Sequence, residues 1–334
     1  MSLALRKIRT GLVIALALAG SFVARSSVAQ DLRSSDLRDI DNIAVELADR
    51  TKSLHDEFHH HLERQRYAAS LDDDVSALEQ IAEQLHEFAH DSNGSFRSTD
   101  LLRRSNNDVL RLAIRIDRSV QLLERRVTGS NARRGLAHME EDASSVIRLA
   151  LRLDRYLGID NEVLDEEADR LEQAVKLLHD EFHRHLEGYE MSRSLDRELE
   201  SLETLVEHMH DLTHGRTWGE IHLPHLIDDI YEVRARVSEI NELLREQAYR
   251  GVRTRDWDGF EHSQDALHDI LASAYLLEHM SRKADGDLVG FQDRDRGSAR
   301  IVLERPRYDR HGHVIRDRYD RDPHRDDYYD RHRH

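Results

Sequence analysis

The ten residues Leu54 to Glu63 read LHDEFHHHLE, and they return as Leu178 to Glu187, LHDEFHRHLE, with Arg184 in place of His60. The gapless match runs on to His90 and His214, with roughly 17 of about 37 positions identical at a constant shift of about 124 residues. A chain written twice must fold twice by the same rules. Every element assigned in one copy therefore has to be available in the other.

Apolar residues recur at three- and four-residue steps, the period of an amphipathic helix. In the first copy Ile40, Ala44, Leu47, Thr51, Leu54, Phe58 and Leu62 form one stripe, and Val75, Leu78, Ala82, Leu85 and Ala89 a second. Ser70 with Asp72 reads as the start of that second helix. SNGSFRS interrupts the pattern, Thr99-Asp100 restarts it, and Val109, Leu112, Ile116, Val120 and Leu123 follow. After TGSNARR a fourth stripe runs from Met139 to Leu157, with Gly158 as its stop. The second copy repeats the plan, and Pro224 opens its third helix where a first turn tolerates proline. The shift drops to about 121 in that helix and returns to about 124 in the next, which places an indel in the preceding loop.

Four amphipathic helices joined by short connections predict an up-down-up-down bundle. The expected fold is all-α: two tandem four-helix bundles from an internal duplication, followed by a disordered C-terminal tail. The boundaries are 1–29 for a signal peptide, 30–158 for the first bundle, 159–284 for the second and 285–334 for the tail. Arg6, Lys7 and Arg9, the apolar run Leu12 to Val23 and the small residues Ser27-Val28-Ala29 have the layout of a cleaved export signal. That run is too short to span a bilayer core of about 30 Å comfortably. The expected location is periplasmic or extracellular, with no transmembrane segment in the mature chain. The tail alternates Asp with Arg: residues 291–334 hold 12 Arg and 10 acids, so the net acidity lies in the helices. ARIVLE and HVIRDRY leave a small hairpin around His311-Gly312 as the alternative to disorder.

The formal charge is -17. Removing the four basic residues of the leader takes it to about -21. Such a chain repels nucleic acid and attracts cations, basic proteins or basic polymers. It has no cysteine, which excludes disulfides, thiolate zinc sites and thiol nucleophiles.

Histidine is the chemistry-bearing residue that remains. His55, His59, His61, His86, His90 and His138 all recur at the shift, as His179, His183, His185, His210, His214 and His262; His60 alone is lost. Imidazole is the commonest ligand of zinc, copper and nickel. Helical phase puts His61 and His185 in the apolar face, His55 and His179 at its edge, and His59 and His183 toward solvent. His138 and His262 fall opposite the stripe of the fourth helix, so His61 and His138 meet only if that helix is rotated from its apparent phase. Pairing the first two helices about a turn near residues 67 to 70 sets residue 55 across from about residue 82. The expected metal site is therefore His55, His86 and Glu83, with His61 as a further candidate. Its counterpart is His179, His210 and Glu207, with His185. Zn, Cu or Ni is the expected ion, bound less well as pH falls below about 6 because protonated imidazole cannot ligate.

Three short motifs carry less. His86-Glu87-Phe88-Ala89-His90 spells HExxH and resembles the zincin signature, but the second copy puts Asp211 in the base position and no third histidine follows at metzincin spacing. Glu83 to His86 and Glu207 to His210 spell the ExxH of ferritin-like di-iron bundles, yet Leu136 to Leu157 lacks the second ExxH those require. Hemerythrin-like ligand sets do not map onto the chain, and the tail histidines form at most a weak flexible chelator. The functional expectation is a non-enzymatic exported protein that binds or scaffolds. Divalent-metal binding through the repeated histidines is the alternative, and a metal-dependent enzyme comes last.

Overall fold

A computed structural model describes residues 34–63, 69–91, 96–126, 130–158, 160–217, 219–253, 256–285, 307–308 and 314–315. The segment expected to be a signal peptide lies outside these residues, as does most of the tail. Among the described residues eight helices follow one another: α1 Ser34–His61, α2 Ala69–His90, α3 Phe96–Arg126, α4 Ser130–Leu157, α5 Asn161–His185, α6 Ser192–Thr213, α7 Leu223–Arg250 and α8 Trp257–Ala284. In the tail, β1 Arg307–Tyr308 pairs antiparallel with β2 Val314–Ile315. Among the described residues no helix is long and apolar enough to cross a membrane.

The helices begin and end for local reasons. Asp160 caps α5, its side chain accepting the Glu162 N–H at 3.0 Å. Pro224 sits in the first turn of α7, where its missing N–H costs no helical hydrogen bond. Gly158, at φ 71, turns the chain out of α4 in a conformation that penalises any side chain. Helices α3 and α4 start inside SNGSFRS and TGSNARR, earlier than the apolar stripes suggest. Ser130 and Asn131 are exposed, so the extra first turn of α4 needs no apolar residue.

Helix α1 packs against α2 and α4, and α3 packs against the same two; α5 packs against α6 and α8, and α7 against the same two. The buried stripes are the expected ones: Leu47, Leu54 and Phe58 in α1 are matched by Leu171, Leu178 and Phe182 in α5. Each such side chain, fully buried, contributes about 1.5–3 kcal/mol from water release. Helices α1 to α8 belong to one compact unit, and the helices of the two copies meet in it. Helix α3 packs on α8, where Arg115 spans Asp74 of α2 and Asp269 of α8. Arg104 pairs with Glu162 and Glu166 of α5, and Arg170 with Asp108 of α3. Asp154 of α4 receives His279 and Lys283 of α8.

Candidate metal centre

His179 and His183 lie one turn apart on α5 and face Asp196 in the first turns of α6. Their Nε2 atoms are 3.1 Å apart. Asp196 Oδ1 lies 3.5 Å from His179 Nε2 and 3.7 Å from His183 Nε2. Ligands at 2.0–2.1 Å from a tetrahedral zinc ion stand about 3.3 Å from one another, so these three donors already occupy a spacing that an ion can bridge. His179 Nδ1 donates to Glu203 Oε2 at 2.7 Å. An ionised carboxylate only accepts, so Nδ1 carries a proton in this contact and Nε2 is the ring atom that faces the cluster. A carboxylate behind a histidine is the usual means of orienting a metal ligand.

The same residues converge in the first copy. His55, His59 and Asp72 each lie 124 positions before their counterparts, and their donor atoms fall within 4.8 Å of one another. His55 Nδ1 hydrogen-bonds Glu79, the counterpart of Glu203. The rings of His55 and His59 are 4.5 Å apart, and His59 Nε2 stands 4.0 Å from Asp72 Oδ1. This copy is looser, with Ser76 Oγ 3.4 Å from His55 Nε2.

The residues expected from sequence are distributed differently. Among the described residues His55 and His86 share no cluster, nor do His179 and His210. Glu83 and Glu207 are exposed, and Glu207 lies 3.9 Å from Lys176 instead of joining a histidine group. The reason is register. Helix α1 ends at His61 and α2 begins at Ala69, and His55 lies level with Glu79 where the turn assumed from sequence set it level with about residue 82. Helix α2 is thereby slid by about one turn, and His55 faces Glu79 and Ser76 instead of Glu83. Helical phase set His55 at the edge of the apolar face and His59 toward solvent, yet residues four apart are neighbours on one flank. Asp72, Asp196, Glu79 and Glu203 were legible only as identities preserved between the copies.

His61 and His185 lie on the inner side of their helices, with side chains 8% and 26% exposed against 44% for His59 and 48% for His183. Glu57 joins His61 to His138: its Oε2 is 3.2 Å from His61 Nε2 and 3.5 Å from His138 Nδ1. Glu181 does the same for His185 and His262, at 3.4 Å to each. Helix four need not rotate, because the carboxylate spans the gap. Gly135 and Gly259, equivalent positions in the first turns of α4 and α8, pass directly beneath the two inner histidines.

A third kind of cluster belongs to the second copy alone. His208 and His225 bring their Nε2 atoms within 3.3 Å, and Asp229 Oδ2 lies 3.8 and 3.4 Å from them. Burial pushes the Asp229 carboxyl upward against the pull of His225 and His208. An open cleft of about 460 Å³ lies beside His183 and His185, lined also by Arg184, Tyr189, Arg253 and Asp256.

Comparison with protein families, with curated proteins and with solved structures finds no match to this chain.

Proposed function

We propose that the chain is an exported protein of two tandem four-helix bundles, produced by internal duplication, that binds divalent transition-metal ions at His55, His59 and Asp72 and at His179, His183 and Asp196. One observation carries the metal reading. The same three residue types, at the same shift, converge in both copies, each with a glutamate behind its first histidine. A donor set of two imidazoles and one carboxylate suits zinc, copper or nickel and leaves a coordination position for water or a partner group. The proposed role is binding, not turnover. The helix-packing pairs support the bundle arrangement, and the leader-like N-terminal segment supports export. The acidic helices favour cations and basic partners over nucleic acid.

Zinc titration of the full chain tests this. The double variant H59A/H183A is expected to lose about two zinc equivalents, one per copy, with helix content unchanged by circular dichroism. If the variant retains its zinc, the metal reading is wrong and a scaffolding role remains.

A further inference from the structure

Helix α1 carries Asp41, His55 and His59, and α2 carries Asp72, His86 and His90. The second set repeats the spacing of the first, 31 residues on. The same relation holds between Asp165, His179 and His183 of α5 and Asp196, His210 and His214 of α6. These intervals are close to four and five helical turns, so the aspartate and the histidine pair of one helix share a flank while lying at opposite ends. The pairings His59 with Asp72 and His90 with Asp41 show that α1 and α2 run antiparallel. The histidine pair of each helix therefore meets the aspartate of the other, once at each end of the hairpin.

The α5–α6 hairpin shows this second meeting complete. Asp165, His210 and His214 bring their donor atoms within 4.8 Å of one another. Asp165 Oδ2 lies 3.4 Å from His214 Nδ1, and Asp169 Oδ1 adds another oxygen 2.9 Å from His210 Nε2. The orienting carboxylates obey the same relation: Glu203 of α6 stands 2.7 Å from His179 Nδ1, and Glu172 of α5 stands 3.1 Å from His210 Nδ1. Glu172 and Glu203 are themselves 31 residues apart.

In the α1–α2 hairpin Glu79 orients His55, but the position that would serve His86 is Ala48. Val45 likewise stands where the second copy has Asp169. His90 still reaches Asp41 at 3.6 Å, whereas His86 touches only the His90 ring, at 6.3 Å between centroids, among its described ring contacts. The ligands are present and the group that would aim His86 is missing.

We infer that each antiparallel hairpin is a pseudo-twofold metal clip with a His-His-Asp site at either end, the second site being complete at Asp165, His210 and His214 and left unformed at Asp41, His86 and His90 by the alanine at position 48. This deepens the metal reading and rests on it. It raises the capacity of the chain from two ions to three, and it assigns to Glu172 and Glu203 a positioning role.

The test uses the full chain with zinc alone, counting equivalents retained against a chromophoric chelator. H214A is expected to lose about one equivalent and H90A none. E172A is expected to weaken the ion at His210 by about 10- to 100-fold, the usual loss for a missing orienting group. A48E is expected to gain about one equivalent, and A48E/H86A to lose that gain. Unchanged zinc in both H214A and E172A overturns the second site while leaving the one at His179 untouched. A folded A48E with no gain overturns the role given to position 48. If H59A/H183A retains all its zinc, the underlying reading fails instead, whatever H214A does.

Discussion

Asp154→Ala is expected to lower the stability of the chain by about 3–5 kcal/mol, the usual cost of removing one partner of a buried ion pair. Asp154 lies near the C-terminal end of α4 and is buried, accepting His279 Nε2 at 2.9 Å and Lys283 Nζ at 2.7 Å from α8. Lys283 also donates to the carbonyls of Asp154 and Gly158, at 2.8 and 2.9 Å. Without the carboxylate the Lys283 ammonium, 10% exposed, keeps only neutral acceptors at the negative end of the α4 dipole. Burial alone would raise the Asp154 pKa, but the His279 hydrogen bond and the Lys283 charge outweigh it and hold the carboxyl below its ordinary value. A carboxylate whose folded pKa is depressed contributes stability above its unfolded pKa of about 3.9 and loses it as pH falls through the folded value. Urea denaturation should therefore show the difference between wild type and D154A at pH 7 and its disappearance in strong acid. Replacing both charges, as in Asp154→Leu with Lys283→Met, should recover much of the loss. A loss below about 1 kcal/mol in D154A, the level of an exposed pair, would show that this junction does not hold the two copies together.

Gly135→Ala should destabilise although alanine is the better helix former by about 1 kcal/mol. A Cβ built on Gly135 falls 2.4 Å from His61 Cβ, and one on Gly259 falls 2.3 Å from His185 Cβ. The obstructing atom is the stem of the histidine, so the ring cannot swing aside and the helices themselves must move. Overpacking of that kind costs about 1–3 kcal/mol, and G135A/G259A should lose roughly the sum because the sites are distant. Adding H61G to G135A removes that Cβ and should recover the packing loss, less the roughly 1 kcal/mol that a glycine costs in a helix. Thermal melts of G135A and G135A/H61G decide the matter, and a G135A protein melting at or above wild type would disprove the close approach.

Much of this was legible in advance because it depends on local pattern. The repeat placed His55 and His179, Phe58 and Phe182, and Gly135 and Gly259 at equivalent positions, and a 3.6-residue period put the right leucines inside. What pattern could not deliver was the slide between adjacent helices. A displacement of about one turn, roughly 5 Å, leaves every residue on the same face of its own helix and changes every partner across the interface. That slide moved His55 from Glu83 to Glu79 and set His59 beside Asp72. A glycine one turn ahead of the α4 stripe, repeated in α8, was the available sign that a bulky side chain crosses there, although it does not name the histidine.

By itself the sequence determined the all-helical class, the internal repeat, the net acidity and the absence of thiol chemistry, since each follows from residue type or period along one strand of chain. Only the tertiary structure decided which carboxylate meets which imidazole. Those pairings depend on loop length and helix register, and donor atoms must lie within a few tenths of an ångström of fixed distances to hold an ion. The difference between His210, aimed by Glu172, and His86, facing Ala48, became readable only once antiparallel packing showed which residue stands behind which ring.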